Sequence, residues 1–163
     1  MILLALGANL PSSAGLPLAT LEAALARLQS AGVKPVARSR WYRTAPVPAS
    51  DQPWFINAVA RIETQLHPPA LLDVLHDVER FFGRHRTALN EARTLDLDIL
   101  DYDAKVLQTG DLVLPHPRLH QRAFVLLPLR DVAPDWRHPV LGETVSMLIA
   151  KLPADQIALP FGP

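Results

Sequence analysis

The segment from Leu95 to Leu100 carries two aspartates, Asp96 and Asp98, at alternate positions of an otherwise apolar run. Such alternation is typical of a β-strand, in which residues i and i+2 point to the same face. The two carboxylates would then project together, with Cα atoms about 6–7 Å apart. Carboxylates at this spacing can bind one hard cation or bridge two. We interpret the pair as a candidate Mg²⁺ site, since Mg²⁺ takes a few carboxylates together with water and substrate phosphate oxygens.

Charged residues are sharply segregated around this pair. The 80–93 segment carries four arginines and one histidine against a single glutamate, whereas residues 95–111 carry five aspartates and one lysine. Guanidinium groups beside metal-binding carboxylates suit a metal–triphosphate complex, because they neutralise the phosphate oxygens. A D-x-D spacing alone is also what any half-exposed strand shows. The neighbouring arginines favour phosphate chemistry over that simpler interpretation.

Two further groups of residues could contribute to a site. Phe55 and Asn57 would share one face of a strand and could stack on and hydrogen-bond to a flat heterocycle. Core packing with a satisfied amide explains the same pattern, and the pattern alone favours it. His116 and His120 have the spacing of a helical metal site, but the proline between them argues against a helix there. We prefer a phosphate-facing role for His116 and Arg122.

Apolar periodicity predicts strands and helices that alternate along the chain. The predicted strands are Met1–Leu6, Val36–Arg43, Trp54–Glu63, Leu95–Leu100, Val106–Leu107 and Leu112–Leu114, with a proline-rich loop over 44–53. Helices are predicted from Leu18 to Gly32, from Pro68 to Gly83 and from Val145 to Leu152, residues 119–130 are ambiguous, and a proline-rich tail follows. This order favours the α+β class, with a mostly antiparallel sheet covered by helices.

Length and composition narrow the function classes. The length suits one domain spanning residues 1–163. Sixteen Lys and Arg balance sixteen Asp and Glu, so the chain lacks the net charge that would favour nucleic acid or anionic membrane as partners. There is no Cys, which excludes disulfides and fits a reducing compartment. No G-x-x-x-x-G-K-[ST] string occurs, so the chain is not a P-loop NTPase, and the lack of G-x-G-x-x-G argues against a Rossmann or protein-kinase fold. We expect a cytoplasmic monomer without nucleic-acid or membrane partners.

The string from Arg93 to Leu100, R-T-L-D-L-D-I-L, closely resembles the signature of the 6-hydroxymethyl-7,8-dihydropterin pyrophosphokinases of folate biosynthesis. Other matches follow the family's order: L-A-L-G-A-N-L at 4–10, Y-R-T at 42–44, F-I-N-A at 55–58, Glu79 with Gly83-Arg84, Pro115-His116 and R-A-F at 122–124. The resemblance covers most of the chain, from residue 2 to about residue 135.

This resemblance implies transfer of the β,γ-pyrophosphoryl group of ATP to the hydroxymethyl oxygen of the pterin, with release of AMP. It also implies a three-layer α/β/α sandwich with a ferredoxin-like core. Asp96 and Asp98 would bind two Mg²⁺ ions, and Arg84 and Arg93 would act with them as catalytic residues. The pterin would contact Thr44, Ala45, Val47, Phe55, Asn57 and Phe124. ATP would contact His76, Glu79, Arg84, Arg86, Arg93, Ile99, His116 and Arg122.

The chain departs from the family pattern just before the signature. Asn90-Glu91-Ala92-Arg93 stands where many members carry W-G-P-R, and the 83–93 segment is slightly shorter than in some members. The closure of this loop and the phosphate contact of Arg86 are therefore open. Two other functions remain as alternatives: a two-metal nucleotidyl transferase or cyclase, and a non-catalytic ligand-binding module on the same fold.

Overall fold

Eight strands and four α-helices alternate in the part of the chain that this computed structural model describes, residues 1–84 and 92–162. The strands are β1 (Ile2–Ala8), β2 (Val33–Arg38), β3 (Trp41–Thr44), β4 (Phe55–Thr64), β5 (Asp96–Tyr102), β6 (Leu107–Thr109), β7 (Leu112–Leu114) and β8 (Ala158–Phe161). The helices are α1 (Pro17–Ser30), α2 (Pro68–Phe81), α3 (Ala123–Val132) and α4 (Val145–Ala150), with a 3₁₀ turn at Leu119–Gln121 before α3.

The main sheet is antiparallel at every pairing that the described residues make. Its order is β5-β1-β4-β3-β8, β2 also pairs with β4, and β6 and β7 form a separate hairpin. Strand β1 lies between β4 and β5 because its apolar run can be buried on both faces. The predicted α+β class and mostly antiparallel sheet are confirmed. The ferredoxin-like core stays a prediction.

Helices cover both faces of the sheet. Leu4 and Leu6 of β1 pack into a cluster with the apolar stripes of α1 and α2. Leu3 packs on the opposite face, in a cluster that α3 and α4 complete. Successive side chains of a strand alternate between faces, so one apolar strand supplies both clusters. None of the helices among the described residues is both long enough and apolar enough to cross a membrane.

Local signals set the ends of α1 and α2. Each helix begins at a proline, Pro17 or Pro68, which has no N–H to leave unsatisfied in the first turn. Each is followed by a glycine with positive φ, +85° at Gly32 and +87° at Gly83, a conformation that favours glycine after a helix. The second of these turns leads directly into Arg84, so it fixes where the basic segment leaves α2.

Three predicted elements differ from the structure. The single strand expected over Val36–Arg43 is two strands, because Ser39 interrupts the pairing by accepting a hydrogen bond from Val59 N–H at 3.0 Å. The ambiguous 119–130 segment contains most of α3, whose apolar side faces the sheet. The proline-rich tail contains β8, which pairs with β3. Most of β8 is exposed, so its pairing is decided by a distant strand and not by apolar periodicity.

Candidate active site

Three adjacent strands form the floor of a cavity on the α3 side of the sheet. Gly7 of β1 is opposite Asn57 of β4 on one side and Asp96 of β5 on the other. Two residues back along β1, Ala5 is opposite Asp98. Directly opposed residues of an antiparallel sheet share a face, so the amide and both carboxylates point to the same side. The small residues of β1 between them leave room for a ligand.

The cavity and its open mouth together enclose about 490 Å³ of empty space. Its lining brings together all six residues that the resemblance assigned to the pterin with Arg93 and Asp96 of the signature: Gly7, Thr44, Ala45, Val47, Gln52, Phe55, Asn57, Arg93, Asp96, Arg122 and Phe124. A smaller recess opens beside it, lined by Asp96, Asp98, His116 and Arg122 among others. A cavity lined by two phenylalanines therefore lies next to a charged recess.

Asn57 is held in one orientation at the cavity floor. Its Oδ1 accepts a hydrogen bond from Thr44 Oγ1 at 2.5 Å, and its Nδ2 donates to Leu6 O at 3.4 Å. Both Asn57 and Thr44 are buried. Asn57 is thus hydrogen-bonded within the protein, as the core-amide interpretation expected, and it also lines the cavity.

Two phenylalanines line the cavity, and an arginine lies over each ring. The Arg93 guanidinium carbon is 5.6 Å from the Phe55 ring centroid, and that of Arg122 is 5.3 Å from the Phe124 centroid. These separations are within the range of cation–π attraction. Each arginine thus extends from an aromatic wall towards the aspartates.

Asp96 is ion-paired with two arginines. Its Oδ2 accepts from Arg93 Nη1 at 2.9 Å, and its Oδ1 accepts from Arg84 Nη1. Among the described residues, no group of three or more His, Asp or Glu side chains is arranged to hold a metal. The two aspartates on one strand face are the acidic donors that the recess offers.

Arg84 and Glu79 form a buried support behind Asp96. Arg84 Nη1 donates to Glu79 Oε2 at 2.9 Å, and the same oxygen accepts from Leu97 N–H at 2.8 Å. Burial lowers the Arg84 pKa, but Asp96 and Glu79 outweigh it, so the pKa is raised and the guanidinium stays charged. Neither Arg84 nor Glu79 is among the residues that line the cavity or the recess. The contacts with ATP implied for both stay predictions.

His116 and Arg122 lie together in the recess. Burial, with a smaller contribution from Arg122, lowers the pKa of His116 to about 4. Its Nδ1 accepts a hydrogen bond from the backbone N–H of Arg118 at 3.2 Å, so the neutral ring carries its proton on Nε2. Burial also lowers the pKa of Arg122, against the attraction of Asp98. Near neutral pH the recess therefore holds the neutral His116 ring, with its N–H, beside Arg122 and the two aspartates.

Asn9 is a residue whose role the sequence patterns did not indicate. Its Nδ2 donates to Gln52 Oε1 at 3.0 Å and to Pro53 O at 2.8 Å, and its Oδ1 accepts from Arg93 N–H at 2.8 Å. It is buried where β1 ends. Asn9 therefore ties the loop before β4 to the segment that carries Arg93. The only signal was a polar residue directly after a buried strand, within the G-A-N string.

The remaining assigned residues are placed as follows. His76 is half-buried on α2, one turn before Glu79. Ile99 packs in the apolar cluster beneath the sheet, so a contact with ATP would run through its backbone. Arg86 lies outside the described residues, together with the rest of 85–91.

The chain is similar to known proteins over most of its length. The family model described as 7,8-dihydro-6-hydroxymethylpterin-pyrophosphokinase (HPPK) matches residues 3–134. The 2-amino-4-hydroxy-6-hydroxymethyldihydropteridine pyrophosphokinase of Methylorubrum extorquens is 40% identical over 149 residues, which is 91% of each chain. The enzyme of the same name from Haemophilus influenzae is 42% identical over 133 residues, 81% of each chain.

Longer proteins contain a similar region. The folic acid synthesis protein fol1 of Pneumocystis carinii is 35% identical over 162 residues, which are 98% of this chain but 21% of that protein. The wild-type HPPK-DHPS of Plasmodium falciparum with STZ-DHP has a similar fold, with a TM-score of 0.69 and 17% identity over 92% of this chain and 42% of that one. The chain thus spans about a fifth of the Pneumocystis carinii protein and less than half of the Plasmodium falciparum protein.

Proposed function

The chain belongs to the 7,8-dihydro-6-hydroxymethylpterin-pyrophosphokinase family, and from this premise we propose how its residues divide the work of the reaction. The protein transfers the pyrophosphoryl group of ATP to hydroxymethyldihydropterin in folate synthesis. The observation that carries the division of roles is the row of Asn57, Gly7 and Asp96 across three strands. It would set an amide that binds the pterin ring beside a carboxylate that binds Mg²⁺.

Asp96 and Asp98 are the residues that would hold two Mg²⁺ ions. Their carboxylates face one recess, and Mg²⁺ takes one or two protein carboxylates when water and nucleotide phosphates complete its shell. This donor set fits a Mg–nucleotide complex. Bound there, Mg²⁺ would polarise the phosphoryl oxygens and the attacking hydroxyl.

The cationic groups around the recess would bind the triphosphate. Arg93 and Arg122 flank the two aspartates and can neutralise charge on the transferring group. The Nε2–H of His116 can donate a hydrogen bond to a phosphate oxygen without adding a charge. Arg84, which Glu79 holds, keeps Asp96 in place. Positioning and charge neutralisation are the main requirements of phosphoryl transfer.

The cavity beside the recess would hold the pterin. Phe55 and Phe124 offer two apolar faces for a flat ring, and Asn57 offers a polar edge at the floor. Thr44, Ala45 and Val47 form the wall from β3 and its following loop. A ring in this cavity would place its hydroxymethyl group towards Asp96, where the β-phosphorus of ATP has to be attacked in line.

A nucleotide-product assay tests this proposal. ATP, Mg²⁺ and 6-hydroxymethyl-7,8-dihydropterin should give AMP in equal amount to the pterin diphosphate, and only when the pterin is present. Replacing Asp98 by Asn should lower kcat by about 10²–10³-fold, because it removes one of the two carboxylates that would hold the charge-stabilising Mg²⁺ ions. The exposed Asp135 on the turn after α3 is the matched control, and Asp135→Asn should keep wild-type kcat.

Other outcomes would reject the proposal. Release of free pyrophosphate would mean nucleotidyl transfer or cyclisation, and ADP would mean transfer of a single phosphoryl group. Pterin binding without turnover would mean a ligand-binding module. An unchanged kcat for Asp98→Asn would remove the role assigned to the aspartate pair.

Both parts of the proposed site come from one chain. The cavity and recess are lined by residues from β1, β3, β4, β5 and the start of α3. On this basis we include in the proposal that residues 1–163 act as one domain and as a monomer. Sedimentation at equilibrium, with and without ATP and pterin, should give the mass of a single chain.

A further inference from the structure

The start of α3 lacks the usual means of satisfying its first N–H groups. Its N-cap residue is Arg122, whose side chain makes no capping hydrogen bond and instead lines the cavity. Helices α1 and α2 begin with proline, and α4 has the Thr144 side chain as cap. Helix α3 begins with the buried Ala123, whose N–H needs a partner.

That partner is Gln156, which lies 33 residues further along the chain. Gln156 Oε1 accepts from Ala123 N–H at 2.8 Å, and Gln156 Nε2 donates to Gln121 O at 2.8 Å. The orientation of the carboxamide is unambiguous, because only its oxygen can accept from an N–H. One side chain therefore bonds the peptide groups on both sides of Arg122.

The same tail segment also supports the opposite wall of the cavity. Directly after Gln156, Ile157 O accepts from Ala45 N–H at 3.1 Å. The next residue, Ala158, is opposite Thr44 in the pairing of β8 with β3. Residues 156–158 thus join the wall that carries Arg122 and Phe124 to the wall that carries Thr44 and Ala45.

From these contacts we propose that Gln156 is a positioning residue for the pyrophosphoryl transfer. By bonding Gln121 O and Ala123 N–H it fixes the backbone at Arg122 and, two residues on, the direction of Phe124. Helix α3 can then carry an arginine at its N-cap, where Ser, Thr, Asp or Asn normally stands. This inference rests on the proposed function for its catalytic consequence, but the bonding itself can be measured separately.

The test compares Gln156→Met with the matched control Gln29→Met on the exposed side of α1. Methionine keeps the length of the side chain and removes both hydrogen bonds. We expect kcat/KM for the pterin to fall about tenfold or more, since small misplacements of binding groups are costly in such sites. Gln29→Met should match the wild type. A merely structural role would lower the melting temperature and leave kcat/KM unchanged well below it.

Gln156→Glu is the second variant, for the case that Gln156→Met does not fold. Glutamate keeps an acceptor for Ala123 N–H but cannot donate to Gln121 O when ionised. It should retain slow amide exchange at Ala123 and show a smaller loss of kcat/KM than methionine. Wild-type kcat/KM in the folded variants, or slow exchange at Ala123 in Gln156→Met, would overturn the inference.

Binding and exchange measurements separate this inference from the proposed function. Amide exchange at Ala123 and calorimetric binding of the pterin to wild type and variants need no turnover. If the wild type made no AMP, the proposed function would fail, while faster exchange and weaker pterin binding in Gln156→Met would still support Gln156 as the residue that positions Arg122 and Phe124.

Discussion

Gly7→Ala should weaken pterin binding through Asn57. A Cβ at Gly7 would lie 2.5 Å from Asn57 Nδ2, whereas ordinary contacts begin at 3.4 Å, so the two groups must separate by about 0.9 Å. The φ angle of Gly7 is not in the positive region that favours glycine. The glycine is therefore required for this close approach and not for its backbone conformation.

The magnitude follows from how Asn57 is held. The side chain is buried, and its Oδ1 accepts a 2.5 Å hydrogen bond from Thr44. A shift of almost 1 Å has to break that bond or turn the amide away from the cavity. Leaving a buried polar group unsatisfied costs about 1–3 kcal/mol. We expect pterin binding to weaken by about 10- to 100-fold, at 1.4 kcal/mol for each factor of ten.

A double-mutant cycle shows whether the effect passes through Asn57. Calorimetry would give the Kd of the pterin for wild type, Gly7→Ala, Asn57→Ala and the double variant. If the clash is the cause, Gly7→Ala should cost little once Asn57 is truncated, giving a coupling free energy of about 1 kcal/mol or more. Mg–ATP binding should change by less than about threefold, which is below 1 kcal/mol. Equal losses in both backgrounds, or wild-type pterin affinity in Gly7→Ala, would refute the reasoning.

Two further predictions concern Asn9 and His116. Asn9→Ala removes the three hydrogen bonds that Asn9 makes with Gln52, Pro53 and Arg93, so the free energy of unfolding in urea should fall by about 1–3 kcal/mol. An unchanged midpoint would contradict the role given to Asn9. The pKa of His116 is about 4 in the folded protein, below its usual 6.5. Between pH 4 and pH 6.5 the unfolded chain therefore binds more protons at His116 than the folded chain does. Stability contributed by neutral His116 should be present above about pH 6.5 and be lost towards pH 4; unfolding of His116→Gln across this range should lack that part of the loss.

Local sequence patterns were sufficient for the elements that hold the aspartates. The apolar run of β1, the helical stripes of α1 and α2 and the alternation in β5 all predicted the right element type, with ends displaced by a few residues. Each of these patterns reflects burial against a neighbour, whichever neighbour that is. Asp96 and Asp98 could therefore be placed on one strand face without knowledge of the partner strands.

Local sequence patterns could not predict the contacts that complete the site. Asn9 reaches Arg93 across 84 residues and Gln52 across 43, and Gln156 reaches Ala123 across 33. The periodicity of apolar residues does not indicate which distant peptide group a polar side chain will contact. The same limit explains why the sequence did not indicate β8, since its strand partner β3 lies more than a hundred residues earlier.

These long-range contacts share one feature that bears on how the site works. Asn9 bonds the backbone of Arg93, Glu79 bonds Leu97 N–H between the two aspartates, and Gln156 bonds the peptides on either side of Arg122. In each case a polar side chain from another element fixes the backbone next to a charged residue of the site. A buried carboxylate such as Glu79 contributes little net stability even when it is paired, so its value here is positional. Phosphoryl transfer depends on geometry held to about half an ångström, and fixing the backbone is a more direct way to reach it than packing the ends of the charged side chains.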